Sequence, residues 1–503
     1  VPVCSAITII VKCIAAYDFG TSGVKAALVS EEGEILAVQE KAYPLYKPQP
    51  LYVEQDPKDY WDAVCEVTHG VLQKSGTAPE DVKALSFSVQ AVNIIPMDAD
   101  GNVLHNAISW LDGRAEKQAE EINARCGMDL VRSQDHQSRL LWLKENRPDI
   151  YENTACFLDC NSFLQYKATG VMAVEPDHPG IAKKDPMIQA YIDATYADID
   201  AAKLGSTVAA CEEYAVLDEK GASELGLAAG TPVFGGMIDV TAASAGCGCC
   251  KEGDAHIYLG SSGWLSALIG QSCDGSEGSY QLDSIDPELL IYGGCTNSCC
   301  LMFDWAIDKF YHKEKEELGS GIYKLIDEEV AKVPAGCDGL HAAPWLFGEQ
   351  FPITDPYVRA MFFNISEKHT RAHFIRAVLE SLCFSMRGQI DLYRKDTGKA
   401  IEEISVNGGG SLSPQWMQMM ADVLQMPVHV PQETRHSGAV GAAIAAAVGL
   451  GWCDMDDTGS FIGVDKSYSP DAAKADLYTK KYKLFYEIYD MVKDLSKKLE
   501  AAE

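Results

Sequence analysis

Three short stretches combine residue types and spacings that could do chemistry. In Asp18-Phe19-Gly20-Thr21-Ser22-Gly23 a carboxylate stands at the end of an apolar run, beside a glycine turn that bares main-chain N–H groups and two hydroxyls. Such a turn can cradle phosphate oxygens while the carboxylate holds hydrated magnesium. Lys25, two residues beyond the turn, could reach a transferred phosphoryl group as a point charge. The same residues also fit a plain β-turn with an Asx cap. In FGGMIDVTAAS, Asp239 follows an apolar strand among small residues. A hydroxyl attacking a phosphoryl group needs such a carboxylate to orient it and take its proton. An aspartate ahead of a helical run is equally a capping residue. In Asn407–Val428, three glycines after a strand let a ligand such as adenine or ribose lie flat on the backbone, with Ser413 capping the helix behind them. The same stretch also reads as a mere strand–helix loop. Neither GxxxxGK[ST] nor GxGxxG accompanies these stretches.

The elements that must position them alternate in type. Residues 12–42 read as two or three antiparallel strands with tight turns. Asp56-Pro57 opens a helix with Trp61, Val64, Thr68, Val71 and Leu72 on one face, and ALSFSVQ forms a strand at 84–90. A hairpin-like DADGNV and a charged helix from about Asp112 follow. The second half repeats the plan: HIYLGSSGWLSALIG (256–270) is another strand, glycine turn and strand, and its GSSG resembles GTSG, which implies two related lobes. A helix over 371–395 carries Ile375, Val378, Leu379, Leu382, Cys383 and Met386 at helical spacing. The last segment, from about 472, forms an amphipathic helix. The lobes are 1–245 and 246–503.

At 503 residues the chain suits two or three domains. Its formal charge of −31 repels nucleic acid and anionic membranes, so neither is a primary partner, although the same charge also serves solubility. No run reaches the roughly 18 apolar residues of a membrane span. The apolar start reads as a first strand rather than a signal peptide, with its first ten residues an extension. Seventeen scattered cysteines favour reduced thiols in a cytoplasmic protein. Cys247, Cys249 and Cys250 lack the companion pair that a zinc site needs.

Taken in order, DFGTSGVKAALV, GGMIDVTAASAGCG, LGSSG and NGGGSLSPQWMQMMADVL resemble the phosphate and adenosine motifs of the FGGY carbohydrate kinases. EQDPKDYWDAV (54–64), NAISWLDGRA (106–115), LLWLKENRPDIY (140–151), APWLFGEQFP (343–352), HTRAHFIRAVLESLCF (369–384) and GAVGAAIAAAVGLG (438–451) resemble further family blocks, over roughly residues 12–495. The blocks sit nearest the xylulokinases. The resemblance implies two actin-like, ribonuclease H-like α/β lobes with a cleft between them, and ATP-dependent phosphorylation of a small sugar. It makes Asp239 the catalytic base and Asp18 the magnesium ligand, with Asp239 close enough to share the metal. Thr21, Ser22 and Lys25 would meet the β- and γ-phosphates, Gly260 and Ser261 would form the second phosphate turn, and Gly409 and Ser413 would lie against the nucleotide. Trp110 matches a tryptophan that packs on substrate. A homodimer follows by family analogy only.

The departures fall in the sugar pocket. Xylulokinases usually carry Gln-Met-His where this chain has Gln90-Ala91-Val92, a polar amide where it has Val240, and GERTP where it has GEQFP. A buried hydroxyl that loses its partner costs ~1–3 kcal/mol. D-xylulose is thus the leading substrate, with another ketose, polyol, deoxygenated or signalling sugar as alternatives. An actin- or chaperone-like ATPase would need neither a hydroxyl base nor the Trp110 block, and a silent sugar sensor need not keep both Asp18 and Asp239.

Overall fold

The computed structural model describes residues 11–127, 131–172, 186–205 and 208–501, so the extension over the first ten residues lies outside the described part. The chain forms two compact units. The first comprises residues 1–246, 285–287 and 436–461, and the second the remainder.

In the first unit, β1 (Cys13–Phe19), β2 (Gly23–Ser30) and β3 (Ile35–Ala42) form an antiparallel meander. β4 (Val82–Val89) joins β1 in parallel. β5 (Glu213–Val216) lies antiparallel to β6 (Pro232–Phe234), which runs parallel to β4. β7 (Met237–Ile238) also lies parallel to β4. The apolar run of β1 is a central strand covered on both faces, which explains why it does not alternate with polar residues. Side chains alternate across a strand. Cys13, Ala15, Tyr17 and Phe19 therefore share one face, in a cluster with Tyr60, Trp61, Val64, Val67 and Val71 of the helix Pro57–Ser75. Asp18 lies on the other face, against the helix Ser437–Gly449. Asp56 caps the helix Pro57–Ser75 through the Lys58 N–H, and Gly76 ends it in the left-handed region.

The second unit repeats this order. β8 (Ala255–Leu259), β9 (Gly263–Ile269) and β11 (Leu290–Thr296) make an antiparallel meander, extended at its edge by β10 (Ser279–Asp283). β12 (Ile404–Asn407) pairs parallel with β8 and β13 (Val428–Pro431) parallel with β12, and β14 (Val464–Tyr468) closes the edge. The helix Arg371–Thr397 packs on β9 and β11, opened by a capping box of Thr370 and His373 and closed at Gly398. The terminal helix spans Ala475–Glu500.

One boundary differs from expectation. The charged helix after the DADGNV turn starts at Glu116, not near Asp112. Asp112 is fully buried, accepting from the Val53 and Arg114 N–H groups and ion-pairing with the Arg114 guanidinium. A carboxylate so committed holds its backbone in the turn. Among the described residues no helix is long and apolar enough to cross a membrane.

Candidate active site

Strand register brings the two aspartates together. Asp18 pairs with Lys25 across β1 and β2, and with Ser88 across β1 and β4. Ser88 pairs in turn with Met237 of β7, whose next residue but one is Asp239. Asp18 near the end of β1 and Asp239 just past the end of β7 thus lie at the same ends of two parallel strands that each pair with β4, where open α/β sheets present ligand sites. The Lys25 ammonium stands 3.6 Å from the Asp18 carboxylate, with both groups partly open to solvent. Ser88 donates to Asp18 at 3.4 Å. A Cβ on Gly438 would lie 2.5 Å from an Asp18 oxygen, so glycine is required in the first turn of the helix Ser437–Gly449. That turn sets the positive end of a helix beside the carboxylate.

Asp239 is the first residue of the helix Asp239–Ala245, and the cap position falls to Ile238, which has no side-chain acceptor. The capping role is therefore not the one Asp239 fills. One of its oxygens accepts the Val240 N–H at 2.8 Å. Solvent reaches the open side of this carboxylate while protein crowds its other sides, and the crowding governs its charge. Burial pushes its carboxyl up to about 6, with the charge of Asp18 adding to the rise. The small residues that follow let two helices touch: a Cβ on Gly441 would fall 1.9 Å from the Ala242 carbonyl oxygen.

Trp110 is exposed, and its indole N–H donates to Thr21 Oγ1 at 3.0 Å, so it touches the first glycine turn. Ser22 is exposed at the tip of that turn, and Ala91 is half-buried. Gln90 is buried, and its side-chain NH2 turns inward to Gln55 at 3.1 Å. Its NH2 is thus engaged by Gln55, while its Oε1 is buried without a hydrogen-bond partner. Val92 is exposed at φ +50°, a conformation that a β-branched residue adopts only under external constraint.

The constraint is Arg139, a residue the sequence reading passed over. Fully buried, it donates to the main-chain carbonyls of Val92, Ile108 (3.2 Å) and Ser109 (2.5 Å), pinning the Val92 loop to the loop that carries Trp110. Burial pulls its guanidinium down to about 10. Its only sequence signal was one arginine within an apolar helical stretch. Beside Val92, Asn93 and Ile238 opens a cavity of about 930 Å³, lined further by Phe157, Tyr191 and Tyr196.

In the second unit the turn Gly260–Ser262 closes through a Gly260 N–H to Ser262 carbonyl bond of 3.0 Å. Main-chain N–H groups of Cys299 and Cys300 donate to the Ser261 and Gly260 carbonyls at 2.9 and 2.8 Å. Two residues before Cys299, the Asn297 N–H donates to Glu349 at 2.9 Å, and burial pushes the Glu349 carboxyl up to about 8. Gly408 at φ +85° lies against the end of β8, where a Cβ would meet the Leu259 carbonyl at 2.6 Å. Gly409 faces open space. Ser413 caps the helix Pro414–Leu424, accepting from Trp416 N–H and donating to Asp327, so its hydroxyl is already engaged.

Two repeats of one strand plan, each with a glycine turn at a hairpin, and a carboxylate pair at strand ends define a phosphoryl-transfer protein of two ribonuclease H-like domains. Models of the FGGY family of carbohydrate kinases match on both sides, the N-terminal domain over residues 13–246 and the C-terminal domain over 256–450, and the chain belongs to that family. It is a carbohydrate kinase with the actin-like two-domain fold. It is 28% identical over 506 residues to the xylulose kinase of Bacillus subtilis (strain 168), covering 97% of this chain and 99% of that one. The gluconokinase of the same organism is 26% identical over 485 residues, covering 91% and 92%. The crystal structure of xylulose kinase from Rhodospirillum rubrum superposes with a TM-score of 0.83 at 24% identity, covering 97% of this chain and 100% of that one.

Proposed function

We propose that this carbohydrate kinase moves the terminal phosphoryl group of ATP to a hydroxyl of a small ketose or polyol, with D-xylulose the leading acceptor. The observation that carries the reading is the convergence of Asp18, Lys25 and Asp239 at adjoining strand ends, with Asp239 driven towards a neutral-range base. Asp239 accepts the proton of the attacking hydroxyl and orients its oxygen. Lys25 and the Gly20–Ser22 turn receive the phosphates of the donor. Within the second unit, the Gly260–Ser262 turn and the open backbone at Gly409 are the candidate nucleotide contacts. Asp18, partly solvated and already neighbouring a cation, suits hydrated magnesium, and Asp239 is near enough to share it. Magnesium, when bound, neutralises charge on the phosphate oxygens. ATP and sugar phosphates belong to the cytoplasm, which is where we place the protein.

Relatives named for both xylulose and gluconate leave the acceptor to the pocket, and the pocket is less polar than a pentulose asks for. Val92 and Val240 stand where amide or imidazole partners are expected, and the Gln90 NH2 is engaged by Gln55. This favours acceptors with an apolar or deoxygenated end, the second reading. The test is acceptor-dependent ADP release across D-xylulose, other pentuloses, hexuloses, alditols, D-gluconate and deoxy sugars, with and without Asp239→Asn. The expected outcome is turnover with one acceptor class and a loss of at least about 10³-fold in the variant, with ATP binding kept. Steady hydrolysis that ignores every acceptor, or near-normal turnover by Asp239→Asn, overturns the assignment.

A further inference from the structure

Gln55 lies outside every role assigned so far. It is fully buried, and each end of its amide is occupied. The NH2 donates to the Thr21 carbonyl at 2.8 Å and the Pro44 carbonyl at 3.5 Å. The Oε1 accepts from the Tyr60 hydroxyl at 2.8 Å and from Gln90 at 3.1 Å. Two carbonyls at one end and two donors at the other fix which end is which. Tyr60 is also fully buried, and its oxygen accepts from the Asn93 amide at 3.3 Å. Asn93 accepts the main-chain N–H of Trp110 at 3.0 Å, and the Trp110 indole returns to Thr21 Oγ1 at 3.0 Å. The path from Thr21 through Gln55, Tyr60, Asn93 and Trp110 back to Thr21 is a closed ring of hydrogen bonds.

Most of this ring is shut away from water, where a broken link is not replaced by solvent. It joins the turn that meets phosphates to the tryptophan that meets the sugar. We infer that Gln55 is a positioning residue whose amide sets the phosphate turn relative to the substrate-side tryptophan. It touches neither substrate; it acts through the Thr21 carbonyl on one side and through Tyr60 and Asn93 on the other. This inference rests on the kinase reading above and adds to it a specific dependence: turnover needs both ends of one buried amide. A shift of the turn by a fraction of an ångström lowers kcat more than KM, because it moves the reacting phosphoryl group without removing a binding contact.

Three variants test it: Gln55→Met, which keeps volume and removes every bond, Gln55→Glu, which keeps the acceptor end only, and Trp110→Phe, which cuts the ring at its indole. All are measured for melting temperature, kcat and sugar KM. Gln55→Met is expected to lose kcat by about 10–100-fold while sugar KM changes less than about threefold. In Gln55→Glu the lost donor is restored only when the buried carboxyl is protonated, so its kcat relative to the parent protein should rise as pH falls from 8 to 6. A merely structural glutamine gives no such recovery. Because Gln55→Met and Trp110→Phe open the same ring, the double variant should be little worse than the poorer single one. A Gln55→Met enzyme with unchanged kcat, a flat Gln55→Glu ratio across pH, or fully multiplicative losses in the double variant would each overturn the proposal. Asp239→Asn, run in parallel, separates this from failure of the kinase reading: there the aspartate variant stays active, whereas here it is dead and the Gln55 variants are normal.

Discussion

Asp239 shows why a residue type alone was not enough to assign a role. The letters around it permit a helix cap and a catalytic base equally, and only the register of β7 on β4 sets it beside Asp18. The consequence is measurable. With its carboxyl raised from an ordinary 3.8 to about 6, Asp239 in the proposed role of base is ionised at neutral pH and lost in mild acid, so kcat/KM should fall about tenfold per pH unit below about 6. The stability effect has the opposite sign. A raised value means the fold favours the protonated form: that contribution is full below 3.8 and is lost as pH rises through about 6. Asp239→Asn, which carries no charge to desolvate, should therefore melt higher than the parent protein at pH 7.5, with the gap closing towards pH 4. A pH–rate profile flat from 5 to 8, or an asparagine variant less stable at pH 7.5, would contradict the crowding at this carboxylate. Gln90, Val92 and Arg139 mark where the letters gave no guide. Which way an amide turns, and whether an arginine meets a carboxylate or main-chain carbonyls, depends on loops distant in sequence.

Strands and helices were largely legible, because their signals are local. The glycine turns at Gly20 and Gly260, the Asp56 cap and the helical spacing over 371–395 each appear where the pattern put them. The error at Asp112 arose because a charged residue read as a helix start is instead a buried partner of Arg114. What the pattern could not reveal is how GAVGAAIAAAVG is used. Its glycines are contact points: Gly438 against the Asp18 carboxylate, and Gly441 against the Ala242 backbone of the helix that Asp239 begins. These two positions separate function from stability within one helix. Gly438→Ala should displace Asp18 and cut kcat by about 10²-fold, with a small change in melting temperature. Gly441→Ala meets main chain at 1.9 Å, which cannot yield as a side chain does, and should destabilise the first unit by about 1–3 kcal/mol. Kinetics and thermal melts on the pair would show the split; equal effects at both sites would remove it.

At the scale of the whole chain, net charge and cysteine content bear on the same chemistry. Among the described cysteines none is fully exposed and nine are buried, and Cys247 and Cys249 pack against Leu268 and Ile291. Burial pushes the thiols of Cys13 and Cys65 up to about 12, and those of Cys160, Cys247 and Cys383 are raised as well. A thiolate is the reacting form, so such groups are inert while the fold lasts. A formal charge of −31 further disfavours thiolates and repels anionic reagents, so a neutral maleimide is the right probe. Among the described cysteines of the native protein, labelling at pH 8 should be slow and confined to half-buried positions such as Cys126, Cys295 and Cys300, leaving the nine buried thiols untouched. Cys295 and Cys300 adjoin the segment that braces the Gly260–Ser262 turn, so their labelling should be the labelling that lowers turnover. In denaturant all 17 cysteines should react without added reductant. A lower count would reveal a disulfide, and full activity after labelling of Cys295 and Cys300 would show that the turn tolerates bulk at its base. The contrast matters because the two glycine turns are alike in sequence but not in surroundings: the first is held by buried amides and hydroxyls, the second by a segment rich in thiols. Oxidative or alkylating damage should therefore act on this kinase through the second turn, while substitution of buried amides acts through the first.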